Sequence, residues 1–256
     1  MLSAFEKFAV RVMRWANTSA ITRFWQHQVL VRLFGLIFDK RAIVRGLERV
    51  PRNPDARILM VANHRTFFDL FALGWMLLTR AKLKQSVNFP VRANFFYENP
   101  LGLGICLLMS GGSMYPPFFR HAEKKPANKE MMAGLIAHLQ EPSQIVGFHP
   151  EGTRSTKDDP YELLPAKPGV GELALKARPV VVPAFISGMG NSFLGEIRSK
   201  TPIIAIFGEP IELPVTEGEL RLSHYKRVAD LFNERIAALG QEEKALRATL
   251  PTGRSS

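Results

Sequence analysis

Apolar and polar positions follow two different periods along this chain. Over the first 38 residues apolar side chains recur every three or four positions, which predicts two helical segments that meet near residues 17–19. From residue 41 onward, short apolar runs alternate with stretches of helical period. Strands are predicted at 41–45, 57–62, 86–91, 112–115, 143–148, 179–186 and 202–207. Helices are predicted at 67–80, 101–109, 127–140, 169–177 and 223–239.

This alternation of strands and helices predicts an α/β fold with a largely parallel central sheet flanked by helices. The run 179–186 is almost wholly apolar, as expected for a strand that is buried on both faces. We expect three parts: amphipathic interfacial helices at 1–38, an α/β domain at 39–250 and a disordered tail at 251–256.

The helical stripe of residues 1–38 is rich in aromatic side chains and is accompanied by arginines. Trp15 and Trp25 lie in this segment, and basic helices rich in aromatic residues are typical of segments that lie in a membrane interface. The same stripe also fits helices that pack on the domain's own core. No run reaches 18 apolar residues, and charges interrupt the first apolar stretch, so we expect neither a membrane span nor a signal peptide.

Charge and cysteine content narrow the classes of partner. The net charge is +11, and residues 1–50 carry nine Lys/Arg against three Asp/Glu, which favours an anionic partner. The alternative is a basic surface that only aids solubility. The basic residues accompany hydrophobic helices rather than a base-stacking platform, which favours an anionic membrane surface over nucleic acid. The single cysteine, Cys106, excludes an internal disulfide, fits a reducing compartment and lies in an apolar run that predicts its burial.

The first candidate for chemistry follows the apolar run 58–62. His64 and Asp69 are five residues apart, a spacing that does not place two side chains on one face of a regular helix. They can meet if His64 lies in a turn and Asp69 in the first turns of the next helix. Asp69 would then fix one ring nitrogen and leave the other as a base. The alternative is a surface turn with a helix-capping aspartate.

The second candidate is the polar turn 150–155, which follows the apolar run 144–148. Gly152 allows an anion to approach the main-chain amides, and Arg154 offers a planar fork suited to phosphate. We interpret Glu151 as a residue that orients this turn. The alternative interpretation of the whole segment is an ordinary polar loop. Because both candidates follow predicted strands, they predict an active site that combines a base with an anion-binding turn.

Together the two segments resemble the glycerolipid (lysophospholipid) acyltransferase family. Its His-x-x-x-x-Asp motif is matched by His64 and Asp69, and its Phe-Pro-Glu-Gly-Thr-Arg-Ser block is matched by residues 150–155. The position before the proline holds His149 in place of the usual aromatic residue. Further matches in the family's order are Arg92 with 99–102, Lys167 with Gly169, and Val182 with Pro183.

The resemblance also implies roles for individual residues. His64, oriented by Asp69, would take the proton from an acceptor hydroxyl, and Arg154 would hold a phosphate. The substrate-binding set that the family pattern implies is Glu151, Gly152, Thr153, Arg154 and Arg120. Arg120 ends the stretch 111–120, which is longer than the family's second motif and contains two adjacent prolines, so this region bears on the identity of the acceptor.

The reaction that the resemblance implies is acyl transfer from acyl-CoA or acyl-carrier protein to the free hydroxyl of a lysophospholipid. The commonest acceptor in the family is 1-acylglycerol-3-phosphate, which gives phosphatidate. We expect no cofactor and no metal, and a peripheral or monotopic position on the cytoplasmic face of a membrane. The alternatives are another lysolipid acceptor, such as one with an amino-acid headgroup, and a non-catalytic membrane-surface binding protein. A nucleophilic hydrolase is not favoured, because the sequence lacks a Gly-x-Ser-x-Gly elbow.

Overall fold

A computed structural model describes residues 2–18, 20–215 and 218–251. Its helices are α1 (Ala4–Thr18), α2 (Ala20–Phe24), α3 (Val31–Phe38), α4 (Asp69–Thr79), α5 (Pro100–Ser110), α6 (Lys125–Gln140), α7 (Pro168–Ala177), α8 (Phe193–Arg198) and α9 (Leu222–Ala248). A π-helical turn, Trp25–Leu30, joins α2 to α3. Its strands are β1 (Ala42–Arg45), β2 (Ile58–Ala62), β3 (Ser86–Asn88), β4 (Val91–Arg92), β5 (Pro117–Phe118), β6 (Gln144–Phe148), β7 (Val180–Ser187) and β8 (Ile203–Phe207).

Six of these strands form the central sheet, in the order β1-β8-β7-β2-β6-β3. Neighbouring strands pair in parallel except β7 and β8, which are antiparallel. β4 and β5 form a small separate parallel pair. The predicted α/β fold with a largely parallel sheet is therefore confirmed, with one antiparallel pairing that the apolar pattern did not indicate.

Apolar layers cover both faces of the sheet. All five residues of β2 and of β8 are buried. Met60 of β2 packs into the core on one face together with residues of α3 and α4. Leu59 and Val61 pack on the opposite face, against α6, α7 and α9. This is the period-two alternation of a strand that is buried on both sides, and it explains why these strands read as continuous apolar runs.

Prolines account for the main differences between predicted and observed strands. The predicted strand 86–91 divides at Pro90 into β3, in the main sheet, and β4, in the small pair. The predicted strand 112–115 is not a strand, and pairing occurs instead at Pro117–Phe118. Proline has no N–H to donate to a ladder, so consecutive prolines limit pairing to a few residues. Helix α8 was not predicted, and α9 extends nine residues beyond the predicted end at 239.

The N-terminal helices pack on the core of the α/β region. Met13 of α1 and Phe38 of α3 are fully buried in the same apolar core as β2. The ring of Phe34 lies 5.5 Å from that of Phe38 and 5.2 Å from that of Phe71 on α4. One face of the amphipathic stripe therefore covers the sheet.

A second face of the same segment remains exposed. Phe8, Trp15, Phe24 and Leu36 retain between 53% and 86% of their accessible surface. Membrane contact by this face remains a prediction. Among the described residues, no helix combines the length and apolarity that crossing a bilayer requires. Of the predicted disordered tail, residues 252–256 lie outside the described part of the chain.

Cys106 is fully buried within α5, as its apolar surroundings predicted. Burial raises the pKa of its thiol to about 12. Because the thiolate is the reactive form, this cysteine is a packing residue and not a nucleophile.

Candidate active site

Parallel strands bring the two candidate segments to one edge of the sheet. In the β2–β6 pair, Met60 lies opposite Gly147 and Val61 opposite Phe148. The residues that follow these strands therefore leave the sheet side by side. The N–H of Ser155 donates to the carbonyl of His64 at 2.8 Å, so the turn after β6 is hydrogen-bonded to the turn after β2.

His64 and Asp69 are arranged as the spacing predicted. His64 lies in the turn after β2, and Asp69 is the first residue of α4. Nδ1 of His64 lies 3.2 Å from Oδ2 of Asp69. A proton on Nδ1 can be donated to the carboxylate. Because a neutral imidazole carries only one ring proton, the Nε2 atom is then unprotonated. A neutral imidazole with a free Nε2 can act as a general base.

The carboxylate of Asp69 also holds the turn that carries His64. Its Oδ2 atom accepts the main-chain N–H groups of Arg65 at 2.7 Å and Thr66 at 2.8 Å, and its Oδ1 atom accepts the Thr66 hydroxyl at 2.6 Å. Complete burial raises the pKa of this carboxyl, and the hydrogen bonds from Thr66 and Arg65 oppose that rise. Asp69 thus fixes both the ring tautomer and the backbone of the base.

Glu151 fastens the second segment to the first. Its Oε1 atom accepts the N–H of His64 and its Oε2 atom accepts the N–H of Leu164, each at 2.8 Å. The residue is 1% exposed. Both oxygens are engaged by main-chain groups, so the structure places Glu151 among the residues that position the turn and not among those that line the cavity described below.

His149 stacks on His64, a contact that the sequence did not predict. The two imidazole rings are 3.8 Å apart between centroids and 6° from parallel. Nδ1 of His149 lies 3.0 Å from the carbonyl oxygen of Ala62, at the end of β2, so this nitrogen is a donor. The β2–β6 register places residue 149 beside residue 62, and from there its ring reaches the face of His64.

Nitrogen and oxygen atoms of His64, Asp69 and His149 lie within 4.8 Å of one another, which raises the question of a metal site. The sequence contains no recognisable metal-ligand spacing, so this convergence arises only in the fold. Two stacked imidazoles direct their lone pairs in parallel planes, and such lone pairs do not converge on one ion at a distance of about 2 Å. The Asp69 oxygens also carry four hydrogen bonds. The trio therefore fits a hydrogen-bonded base better than a metal centre.

Burial and positive charge keep this base uncharged. Desolvation, reinforced by the charges of Arg154 and Arg92, lowers the pKa of His64 to about 3. Burial and the neighbouring His64 lower the pKa of His149 to about 3 as well. Both rings are neutral near pH 7, as a proton acceptor requires.

Arg92 and Arg154 lie near the base, and Arg120 lies near Arg92. Arg92 lies on β4, Arg120 follows β5 and Arg154 lies in the turn after β6. Partial burial and the charges of Arg120 and Arg154 lower the pKa of Arg92. The Arg92 guanidinium donates to the Thr153 hydroxyl, and Nη1 of Arg154 donates to Oδ1 of Asn191 at 3.2 Å.

In the part of the chain that the structure describes, none of these three arginines has a carboxylate within 4 Å. Like charges held together without anions repel one another, so their arrangement favours binding of a multiply charged anion. Thr153 contributes by orienting Arg92. Gly152 has a φ of +66°, which suits a glycine, and its Cα faces Lys167, whose Cγ atom would lie 3.2 Å from an added Cβ.

A cavity of about 360 Å³ adjoins His64 and the cations Arg92, Arg154 and Lys167. The rest of its wall is mainly apolar. Its apolar lining includes Phe67, Leu70, Phe89, Phe96, Met114, Phe118, Met132, Phe148 and Val170. The cavity thus combines a histidine that can act as a base, a group of cations and apolar space.

Two further polar residues hold the site together and were not singled out from the sequence. The Asn63 side chain donates to the carbonyl of Ile186 at 2.9 Å and accepts the N–H of Ile186 at 2.8 Å, which joins the end of β2 to β7. Nη1 of Arg65 donates to the Ser155 hydroxyl at 3.1 Å, and Nη2 donates to the carbonyl of Lys157 at 2.8 Å. Their position beside His64 was the only signal available.

Comparison with known proteins identifies the family of this chain. The acyltransferase family model matches residues 41–187. Human 1-acyl-sn-glycerol-3-phosphate acyltransferase beta is 29% identical over 164 residues, which are 64% of this chain and 52% of that protein. The chain therefore spans about half the length of this curated relative.

The fold resembles a solved structure over most of both chains. The crystal structure of the 1-acyl-sn-glycerophosphate (LPA) acyltransferase PlsC from Thermotoga maritima superposes with a TM-score of 0.54 at 18% sequence identity. The match covers 96% of this chain and 85% of that one, and it supports the fold alone. The family model spans more than half of the chain, from β1 to the end of β7, and includes both active-site segments. The chain belongs to the acyltransferase family.

Proposed function

We propose that this protein transfers an acyl chain from a thioester donor to the free hydroxyl of a lysophospholipid, with 1-acylglycerol-3-phosphate as the preferred acceptor. The observation that carries the proposal is one cavity that is lined by the neutral base His64, by the cations Arg92 and Arg154, and by apolar side chains. A lysophospholipid offers a hydroxyl, a phosphate and a hydrocarbon chain. Membership of the acyltransferase family and the human relative's name support the same reaction.

In the proposed mechanism, Nε2 of His64 accepts the proton of the acceptor hydroxyl while the hydroxyl oxygen attacks the thioester carbonyl. The carbon–sulfur bond then breaks, and the proton on His64 passes to the departing thiolate. Asp69 keeps the ring in the required tautomer throughout. The reaction uses no cofactor, and the donor is acyl-CoA or acyl-carrier protein as co-substrate.

The arginines would act on the acceptor's phosphate. Arg154, with Arg92 and Arg120, would hold the phosphate and so fix the hydroxyl near Nε2 of His64. Such positioning is a major source of rate enhancement. Three cations that have no carboxylate partner among the described residues favour a phosphomonoester, with up to two negative charges, over a zwitterionic headgroup.

The proposed place of reaction is a membrane surface. The exposed aromatic face of residues 2–38 and the basic N-terminal region would contact anionic lipid as a peripheral or monotopic attachment on the cytoplasmic face. The acceptor would then be taken from the leaflet.

The test is an acceptor panel assayed with both donors on purified protein. The panel contains lysophosphatidate, lysophosphatidylglycerol and a lysolipid with an amino-acid headgroup, each offered acyl-CoA and acyl-carrier protein. We expect turnover to be highest with lysophosphatidate and to fall at least about a hundredfold in His64→Ala. His224→Ala, on α9, is the control and should keep the activity.

Arg154→Ala separates binding from chemistry. We expect its KM for lysophosphatidate to rise about tenfold or more with a smaller change in kcat, whereas the exposed Arg227→Ala on α9 should leave both unchanged. Undiminished turnover in His64→Ala would refute the proposed base. A protein that binds vesicles but acylates no acceptor in the panel would instead be a non-catalytic membrane-surface protein.

A further inference from the structure

Helix α5 has an outer face that is apolar along its whole length. Leu101 is 70% exposed and Leu108 is 61% exposed, whereas Leu103 and Cys106 face the core. No charged residue occurs between Pro100 and Ser110. An exposed helix of a water-soluble protein normally carries polar side chains on its outer face. The composition of α5 therefore indicates that this face has an apolar partner.

One end of α5 adjoins the exposed aromatic residues of the N-terminal helices. Nε1 of Trp25 donates to the carbonyl of Leu108 at 3.0 Å, and the Thr22 hydroxyl donates to the carbonyl of Gly111 at 2.6 Å. Phe24, next to Trp25 in sequence, and Trp15 on α1 are each 63% exposed. The apolar surface of α1 and α2 thus continues onto α5.

The other end of α5 adjoins Phe95, which is 48% exposed and has a φ of +71°. A positive φ is a genuine outlier for an aromatic residue and must be imposed by its surroundings. The Asn99 side chain donates to the carbonyl of Phe95 at 2.9 Å and accepts the N–H of Gly102 at 2.7 Å. An added Cβ on Gly102 would lie 1.7 Å from the Phe95 carbonyl oxygen, so only glycine permits this approach.

Phe95 also leads to the active-site cavity. Its ring lies 5.3 Å from that of Phe96, and Phe96 lies 6.0 Å from Phe67. Phe96 and Phe67 both line the cavity that adjoins His64. The 11 residues of α5 span about 16 Å at the rise of an α-helix, so a continuous apolar strip connects the N-terminal aromatics to the cavity rim.

The charges around this strip fit an anionic partner. Residues 2–38 contain the cations Lys7, Arg11, Arg14, Arg23 and Arg32. The carboxylate in that segment, Glu6, is 2% exposed and lies 2.6 Å from Nζ of Lys124. Near the Phe95 end, Glu98 lies 3.7 Å from the same Lys124. An apolar strip that adjoins helices rich in cations is what an anionic bilayer surface attracts.

We propose that the outer face of α5 and Phe95 form a bilayer contact that continues from α1 and α2 to the cavity rim, so that a lipid passes from the leaflet to the cavity along this strip. The contact extends the N-terminal attachment considered above to an element outside residues 1–38. The role as a lipid path rests on the proposed acyl transfer, whereas the contact itself does not.

The test is sedimentation of the full chain with vesicles of phosphatidylglycerol and phosphatidylcholine. The double variant Leu101→Gln, Leu108→Gln changes exposed side chains only. We expect it to weaken vesicle binding by about tenfold or more. Leu222→Gln is the matched control, because Leu222 is 67% exposed at the start of α9, which packs on the opposite face of the sheet. It should bind vesicles as the parent does.

Phe95→Asn tests the path to the cavity. Asparagine tolerates a positive φ, so this variant removes the aromatic ring without changing the backbone. We expect turnover of lysophosphatidate presented in vesicles to fall about fivefold or more relative to turnover of a soluble short-chain analogue. An unchanged ratio would refute the path.

Vesicle binding by the double variant equal to that of the parent would overturn the contact. A parent protein that is dimeric in analytical ultracentrifugation, with a monomeric double variant, would also overturn it by assigning the face to a second copy of the chain. If every protein binds vesicles as expected but none acylates any acceptor, the proposed function fails while the contact stands. Thermal unfolding of each variant verifies that the fold is intact.

Discussion

The reactivity of His64 depends on the groups around a single imidazole. Asp69 fixes the proton on Nδ1, and His149 covers one face of the ring. Burial with the charges of Arg154 and Arg92 lowers the pKa to about 3, so the base is neutral before substrate arrives. A bound dianion would neutralise those same arginines. In the proposed reaction, the affinity of His64 for a proton should therefore increase when the acceptor's phosphate binds, which is when the base would take up a proton.

Anion binding is thus expected to raise the pKa of His64. Sulfate is a suitable probe because it remains dianionic across the titration. We expect the ring resonances of His64 in an NMR titration to report a pKa at least about one unit higher in saturating sulfate than in chloride. Arg154→Ala should raise the pKa without sulfate and reduce the response to it. A sulfate response that is the same in Arg154→Ala and in the parent would contradict the anion site.

The stacking of the His149 ring on His64 should increase the rate of the reaction, because it shields one face of the base from water. In His149→Phe an aromatic ring remains over His64, whereas His149→Ala opens that face to water. We expect kcat to fall about tenfold in the alanine variant, with the KM for acceptor within about twofold, and to stay within about threefold of the parent in the phenylalanine variant. The pKa of His64 should rise toward its ordinary value in the alanine variant only. Equal kcat in all three proteins would show that the stacking has no role.

At the scale of whole elements, the N-terminal helices complete the fold. β3 is an edge strand, and the side chain of Gln26 pairs with it as a further strand would. Nε2 of Gln26 donates to the carbonyl of Val87 at 3.1 Å, and Oε1 accepts the N–H of Val87 at 3.0 Å. The π-helical turn that contains Gln26 places this amide against the strand. A deletion of residues 1–38 would expose this edge and much of the core, so it is a poor test of membrane attachment.

Gln26→Ala should therefore destabilise the protein. The substitution leaves the buried N–H and C=O of Val87 without partners, which costs about 1–3 kcal/mol of unfolding free energy. Urea unfolding measures the loss. Gln28→Ala, at an exposed position in the same turn, is the matched control and should change stability by less than about 0.5 kcal/mol. A Gln26→Ala protein as stable as the control would show that water replaces the lost bonds.

The same elements show what the sequence could and could not predict. Strand β2 and the turn with His64 were predictable because a fully buried strand imposes a continuous apolar run. The N-terminal stripe was ambiguous, since packing on a core and lying in a membrane interface require the same apolar periodicity. Its buried and exposed faces became distinguishable only in the fold.

Contacts between distant segments were the least predictable part of the site. The stacking of His149 on His64 depends on the register of β6 against β2, which neither local sequence specifies. The cluster of Arg92, Arg120 and Arg154 likewise depends on three separate connections. The family resemblance matched Arg92 and implied binding roles for Arg154 and Arg120, but the mutual repulsion of these three arginines is a property of the fold.

At the scale of the whole molecule, two neutral histidines should make stability depend on pH. His64 and His149 each have a pKa of about 3 in the folded protein, against the ordinary 6.5 for the unfolded chain. Below 6.5 the unfolded chain binds protons that the folded chain does not. The free energy of unfolding should therefore fall as the pH falls from about 6.5 toward 3, by as much as about 1.4 kcal/mol per pH unit for each histidine.

The contribution of His149 can be isolated by comparing the parent with His149→Phe. Burial raises the pKa values of Asp69 and Glu151, and such carboxyls act in the opposite direction on acidification. Asp69 and Glu151 are present in the parent and in His149→Phe, so their effects largely cancel in the difference between the two unfolding free energies. We expect urea unfolding between about pH 6.5 and pH 4 to show a shallower loss of stability in His149→Phe, by up to about 1.4 kcal/mol per pH unit. Parallel curves for the two proteins would mean that His149 is protonated in the folded state, which its stacking on His64 opposes.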